Sequence, residues 1–209
     1  SERLPSPDPR IFSRAVVAND FDGDGRPDLA FIAEIDYDIS TNKAIEGAAT
    51  AWVLHRRGGS WEVVSEGLPR KHIADAISAG DIDGDGRLDL ILASNTAGER
   101  RLVYLNTSAG WRPAPFNGVL SSAYHYDIEA KTGEIYAAFV QFQMVEGGTQ
   151  ARNGLIAYPF AFRAEGWRPG RAVAWDTERT EVFVRLALGD LDGDGRTDIA
   201  ASRKTGGIE

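Results

Sequence analysis

Short apolar runs broken by polar, glycine-rich turns recur along the chain, and three stretches repeat the same order. They read AVVANDFDGDGRPDLAFI from Ala15, AISAGDIDGDGRLDLILA from Ala76 and RLALGDLDGDGRTDIAAS from Arg185. In each, a run with period-two or continuous β-rich character enters a polar loop and another leaves it, which predicts two strands joined by that loop. ATAWVLHRR and GGSWEVVSEGLP follow the first copy, and RRLVYLNT and SAGWRPAPF follow the second. NGLIAYPFAF and AEGWRPGRAVAW form a third version of this second half. Trp61, Trp111 and Trp167 each come directly after a Gly or Gly-Ser turn. The repeating unit is therefore four short strands: one into the polar loop, one out, and a Gly-turned pair carrying the tryptophan.

The loops begin at Asp20, Asp81 and Asp190, and the second interval is about twice the length a single repeat needs. A degenerate copy fills it at Asp127, within YDIEAKTGEIYAAFV. There Asp127 and Glu129 keep the first two acidic positions, Lys131 replaces the third acid and Ile135 occupies the ninth position. Four-stranded units at such a period predict a β-propeller of radial, four-stranded antiparallel blades rather than a helical solenoid. Only the stretch around Arg70 to Ala79 has room for a helical turn. The whole of residues 1–209 reads as one propeller domain or a portion of one. Its blade units are 13–69, 70–119, 120–179 and 180–209, with 1–12 as an outer-strand segment. Ser1-Glu2 with Leu4-Pro5 matches Ser65-Glu66 with Leu68-Pro69, and Thr205 to Glu209 stops where a third strand should begin. These ends lead to the expectation of a piece of a larger propeller, completed by another chain or by missing blades. The rival expectation is a four-blade ring closed by its own termini.

Each intact loop packs four carboxylates into nine residues: Asp20, Asp22, Asp24 and Asp28; Asp81, Asp83, Asp85 and Asp89; Asp190, Asp192, Asp194 and Asp198. Like charges at that spacing repel. A hard, oxygen-seeking dication removes the repulsion, and alternating Asp residues in a Gly-bent loop suit calcium better than zinc, copper or magnesium. Positions one, three and five offer carboxylates, the seventh residue (Arg26, Arg87 or Arg196) offers its backbone carbonyl, and the ninth closes the loop. Three Ca2+ ions are expected, one per intact loop. The first six positions also fit an EF-hand, but position twelve is Phe31, Leu92 or Ala201 instead of a bidentate Glu, and the flanks are strand-like rather than helical.

These repeats resemble the FG-GAP/VCBS family, the calcium-bearing blade repeats of integrin alpha-subunit heads and of many secreted proteins. The resemblance covers nearly the whole chain, through three strong motifs and one eroded one. It implies a propeller, commonly seven-bladed, with calcium in the hairpin joining a blade's first two strands. By position it implies one site from Asp20, Asp22, Asp24, the Arg26 carbonyl and Asp28, and equivalent sites starting at Asp81 and Asp190. Lys131 and Ile135 depart from the pattern.

The net charge of −8, from 31 acids against 23 bases, is mostly loop charge: three calcium ions would leave about −2. That is no nucleic-acid footprint. No apolar run reaches the ~18 residues of a transmembrane span, and there are no cysteines. Calcium loops of this kind fill readily at extracellular calcium levels, so a secreted, periplasmic or cell-surface setting is expected. His55, His72 and His125 read as surface or packed polar residues. Tyr124, His125 and Tyr126, at the mouth of the eroded loop, are a candidate ligand-binding group. The tryptophans read mainly as wedges between blades. No nucleophile elbow, phosphate loop or dinucleotide fingerprint occurs. The expected role is a recognition or scaffold module for a glycan or protein partner. The alternatives are part of a carbohydrate-active lyase or dehydratase, or a purely structural repeat.

Overall fold

A computed structural model describes residues 4–6, 8, 11–33, 37–38, 40–41, 43–45, 49–70, 76–93, 103–114, 123–131, 134–144, 151–161, 168–169, 173–175 and 183–203. Among them every regular element is a strand. The first sheet contains β1 (Ser13–Asn19) and β2 (Asp28–Ala33). A short ribbon, β3 (Tyr37–Asp38) with β4 (Lys43–Ala44), sits in the excursion before β5 (Ala51–Arg57) and β6 (Ser60–Val63). The second sheet comprises β7 (Ala76–Gly80), β8 (Asp89–Ala93), β9 (Val103–Thr107) and β10 (Gly110–Pro113). In the third are β11 (Ala123–Lys131), β12 (Glu134–Met144), β13 (Ala151–Ala161), β14 (Arg168–Pro169) and β15 (Val173–Trp175). The fourth has β16 (Phe183–Gly189) and β17 (Asp198–Arg203).

Strand order is β1-β2-β5-β6 in the first sheet, β7-β8-β9-β10 in the second and β11-β12-β13-β14 in the third, where β15 also pairs with β13. All pairings are antiparallel, so each four-stranded sheet is a meander whose connections run between neighbours. Arg57 pairs with Ser60 across Gly58-Gly59, whose φ angles of +57° and +88° suit the two-residue hairpin turn that follows the strand twist. The first strands stand side by side: β7 lies against both β1 and β11, and β11 against β16.

The core lies between and behind the sheets. Ala30, Ile32, Ala51 and Val53 of the first sheet meet Leu90, Leu92, Tyr104 and Trp111 of the second, with Phe21 and Leu68 in the same cluster. On the opposite face of the first sheet, Phe31, Trp52 and Leu54 pack with Ile11 and Ile45. Both faces of β2 are thus covered, and this explains why its sequence is continuously apolar instead of alternating. Trp111 is buried and makes an edge-on contact with Phe21 at 6.1 Å, bridging the first two sheets as an inter-sheet wedge should. Trp52 stacks on Phe31 at 5.3 Å within the first sheet. Trp61 is half-buried under the Arg56 guanidinium, and Trp167 lies outside the described residues.

At the eroded copy, Asp127, Glu129 and Lys131 are strand residues of β11, opposite Ala138, Tyr136 and Glu134 of β12. The intact loops curl through glycines at positions four and six, with φ between +77° and +85°. Ala130 and Thr132 stand at those positions in the eroded copy. Before Ser13, Ile11 packs against the rear of the first sheet, while much of the 1–12 segment lies outside the described residues.

Candidate metal centre

Each acidic loop joins the first two strands of its sheet: β1 to β2, β7 to β8 and β16 to β17. The loops share one hydrogen-bond pattern. Asp20 accepts from the Gly23 and Gly25 N–H groups, both at 2.8 Å, and Asp24 Oδ1 accepts from Arg26 N at 2.8 Å. Asp81 repeats this with Gly84 and Gly86, and Asp190 with Gly193 and Gly195. Asp85 and Asp194 likewise accept from Arg87 and Arg196. Local bonds of this kind hold the first, third and fifth carboxylates facing inward. As a result the carboxylates of Asp20, Asp22 and Asp24 converge within 4.8 Å of one another, as do those of Asp81, Asp83 and Asp85 and those of Asp190, Asp192 and Asp194. Three anions at that range, oxygen-only and fixed by main chain, form a donor set that fits a hard dication.

The ninth acid has a job that its sequence position alone did not reveal. Asp28 is fully buried; its Oδ2 accepts from Phe21 N at 3.0 Å and its Oδ1 from Arg56 N at 2.9 Å. Asp89 does the same with Ile82 N and Asn106 N. It therefore latches the loop to the third strand. Each carboxylate oxygen keeps a lone pair after accepting one such bond. Asp198 accepts from Leu191 N at 2.9 Å. Replacing Asp28 with Ala leaves two N–H groups without an acceptor, and the expected loss is about 2–4 kcal/mol in denaturant unfolding. Asp28→Asn, which keeps an oxygen, should lose less.

Burial pushes the Asp89 carboxyl up to about 7, with Asp83 and Asp85 adding repulsion against the hydrogen bonds from Asn106 and Ile82 that pull it down. Asp83 is also raised, first by burial and then by Asp85. A carboxyl raised on folding favours the protonated folded state. Its stabilisation is full below the ordinary carboxylate value and is lost as pH climbs through about 7. Thermal melts of the metal-free protein should therefore show lower stability at pH 8 than at pH 5. In Asp89→Asn this part of the pH dependence should vanish.

Arg87 and Arg196 turn back toward Asp85 and Asp194, each with its Nε at 3.9 Å. Tyr124, His125 and Tyr126 occur near the start of β11, where the pairing with β12 shifts register between Ala123 and Tyr126; their side chains lie outside the described residues, as does His72. His55 is the residue that sequence reasoning passed over. It is buried under the first loop, with Nδ1 3.6 Å from Asp22 and Nε2 3.9 Å from Asp28. Aligning the repeats gives the missed signal, because Leu105 stands at that place in the second unit. Beside this loop a cavity of about 440 Å³ opens toward the second sheet, lined by Asp22, His55, Arg57, Arg87, Asn106 and Trp111 among others.

No helix among the described residues is long and apolar enough to cross a membrane. No curated protein matches the chain. Residues 20–92, from the first acidic loop through the strand leaving the second, match the family model of the FG-GAP-like repeat. That span contains two acidic loops and the strands between them, and over it the chain is similar to an FG-GAP-like repeat.

Proposed function

We propose that the protein is a calcium-stiffened β-propeller module that presents its loops and inter-blade grooves to a glycan or protein partner outside the cell. The observation that carries this reading is the threefold recurrence of one loop geometry, each time between the first two strands of a sheet. In this reading three Ca2+ ions sit in the loops starting at Asp20, Asp81 and Asp190. Positions one, three and five supply carboxylates, position seven supplies the backbone carbonyl of Arg26, Arg87 or Arg196, and Asp28, Asp89 and Asp198 close the shell. The blades are 13–69, 70–119, 120–179 and 180–209. The eroded copy at Asp127, with Lys131 in place of the third acid, holds no ion or only a weak one.

A larger ring is supported by side-chain exposure at the two flanks. Position two of the acidic loop is buried in the first two units, at Phe21 and Ile82, yet Leu191 is 66 % exposed. Phe21 is covered by Trp111 of the next sheet, so Leu191 offers the same apolar contact to a further blade. At the other flank, Val16 of β1 is exposed, whereas Ile77, its counterpart in β7, packs into the core. The groove beside His55 and the Tyr124-His125-Tyr126 segment are the places for a ligand. Metal analysis after dialysis against millimolar calcium tests the core of this reading. Three ions per chain are expected, two in Asp83→Ala, and a value near zero overturns it. A glycan array run beside a polysaccharide-degradation assay separates a binding module from an enzyme.

A further inference from the structure

His55 is a buried histidine. Its side chain is 9 % exposed, and neither ring nitrogen has a hydrogen-bond partner. An imidazole buried with both nitrogens unsatisfied is costly, and such a group calls for a partner. Asp22 Oδ2 lies 3.6 Å from Nδ1 and the buried Asp28 Oδ2 lies 3.9 Å from Nε2. One ligand atom from each of Asp22, Asp28 and His55 falls within 4.8 Å of the others. The second unit supplies an internal comparison. The residue after His55, Arg56, donates its N–H to the ninth-position Asp28, and Asn106 does the same for Asp89. Leu105 therefore occupies the histidine's place there, and it is buried. The repeat folds without a histidine, so the imidazole is an addition to the first unit alone among these two.

We propose that His55 joins Asp22 and Asp28 of the first acidic loop in a nitrogen–oxygen site for a borderline divalent cation of the zinc type, which shares those two acids with the loop's calcium shell and competes with calcium there. Imidazole nitrogen selects zinc-like ions over calcium, which takes oxygen. Ligands about 2.0–2.1 Å from a tetrahedral ion stand roughly 3.4 Å apart, close to the His55–Asp22 separation of 3.6 Å. Each ring nitrogen faces a carboxylate. Asp28 accepts one main-chain N–H at Oδ2 and keeps a lone pair there. Arg57 competes: its Nε is 3.5 Å from Asp22 Oδ2, but the side chain is 59 % exposed and also reaches Glu62. It can withdraw without being stranded in the interior.

The test titrates Zn2+ into the full chain by calorimetry in a millimolar calcium background. The wild type should take up one Zn2+ that His55→Leu and His55→Gln bind at least about tenfold more weakly. Arg57→Gln should bind it more tightly. His55→Leu copies the residue already present in the second unit, and a calcium-loaded thermal melt verifies that it folds. Equal zinc affinity in the wild type and both His55 variants overturns the site, as does the absence of zinc uptake by the wild type. Zinc at His55 requires no calcium in the loops starting at Asp81 and Asp190. Failure of the calcium reading would instead appear as missing calcium in those two loops, with the zinc difference intact.

Discussion

Raising free calcium from chelated levels to about 10 mM should lift the melting temperature of this protein by roughly 16–32 °C. The figure follows from mass action. An ion that binds only the folded chain adds about 2.7 kcal/mol when its concentration is a hundred times its dissociation constant. A constant near ~0.1 mM is at the tight end of the range for extracellular modules. Three such loops give about 8 kcal/mol, and for a domain of this size each kcal/mol moves the midpoint by about 2–4 °C. The physical source is the repulsion among three converging carboxylates per loop, which the hydrogen bonds from Gly23, Gly25 and their counterparts hold in place in the folded chain. Asp22→Ala, Asp83→Ala and Asp192→Ala should each remove about a third of the rise. A calcium-induced shift below about 5 °C, or one left unchanged by these substitutions, would sink the three-site reading.

How far the sequence disclosed this arrangement depends on whether the determining interactions are local. The acidic loops were legible because their cause lies within nine residues: alternating carboxylates and two glycines that accept positive φ, as at Gly23 and Gly25. The four-stranded unit was legible because each strand carries its own apolar pattern and each turn its own glycine. The eroded copy at Asp127 was legible as a departure, because Ala130, Lys131 and Thr132 replace the glycines and the third acid, and Lys131 pairs with Glu134. The latch role of Asp28 depends on Arg56 N, 28 residues away, and nothing within the motif announces it. His55 was hidden for a similar reason. Its two carboxylate neighbours belong to a loop that meets β5 only after the sheet has formed. Residues whose partners come from another strand or another sheet are read from the fold; the latch is common to the first two units, and His55 is what distinguishes the first from the second.

Gly67→Ala should cost about 4–6 kcal/mol, among the largest losses for any single methyl added to this chain. Gly67 is the third residue of the turn from Ser65 to Leu68, closed by Leu68 N donating to Ser65 O at 3.1 Å, and its φ is +91°. That turn position favours glycine, and a side chain there costs roughly 1–2 kcal/mol in backbone strain alone. The space is worse than the angle. A Cβ on Gly67 would lie 1.7 Å from the Trp111 carbonyl oxygen and 2.8 Å from its carbon, both backbone atoms of the second sheet. Nearby, Trp111 N donates to Glu66 O at 3.0 Å, so the two main chains are bonded at this point and neither can yield freely. Displacing Trp111 would also disturb its contact with Phe21 and the cluster containing Leu68. Gly58→Ala is the control. Its φ of +57° is also positive, but nothing lies within 4 Å of the added carbon, so only the strain, about 1–2 kcal/mol, should appear. Denaturant unfolding of the two variants in saturating calcium separates the terms, and their difference measures the close approach of the first two sheets. If Gly67→Ala proves no more damaging than Gly58→Ala, the sheets do not meet at Trp111, and the shared core that positions the first loop against the second sheet falls with that contact.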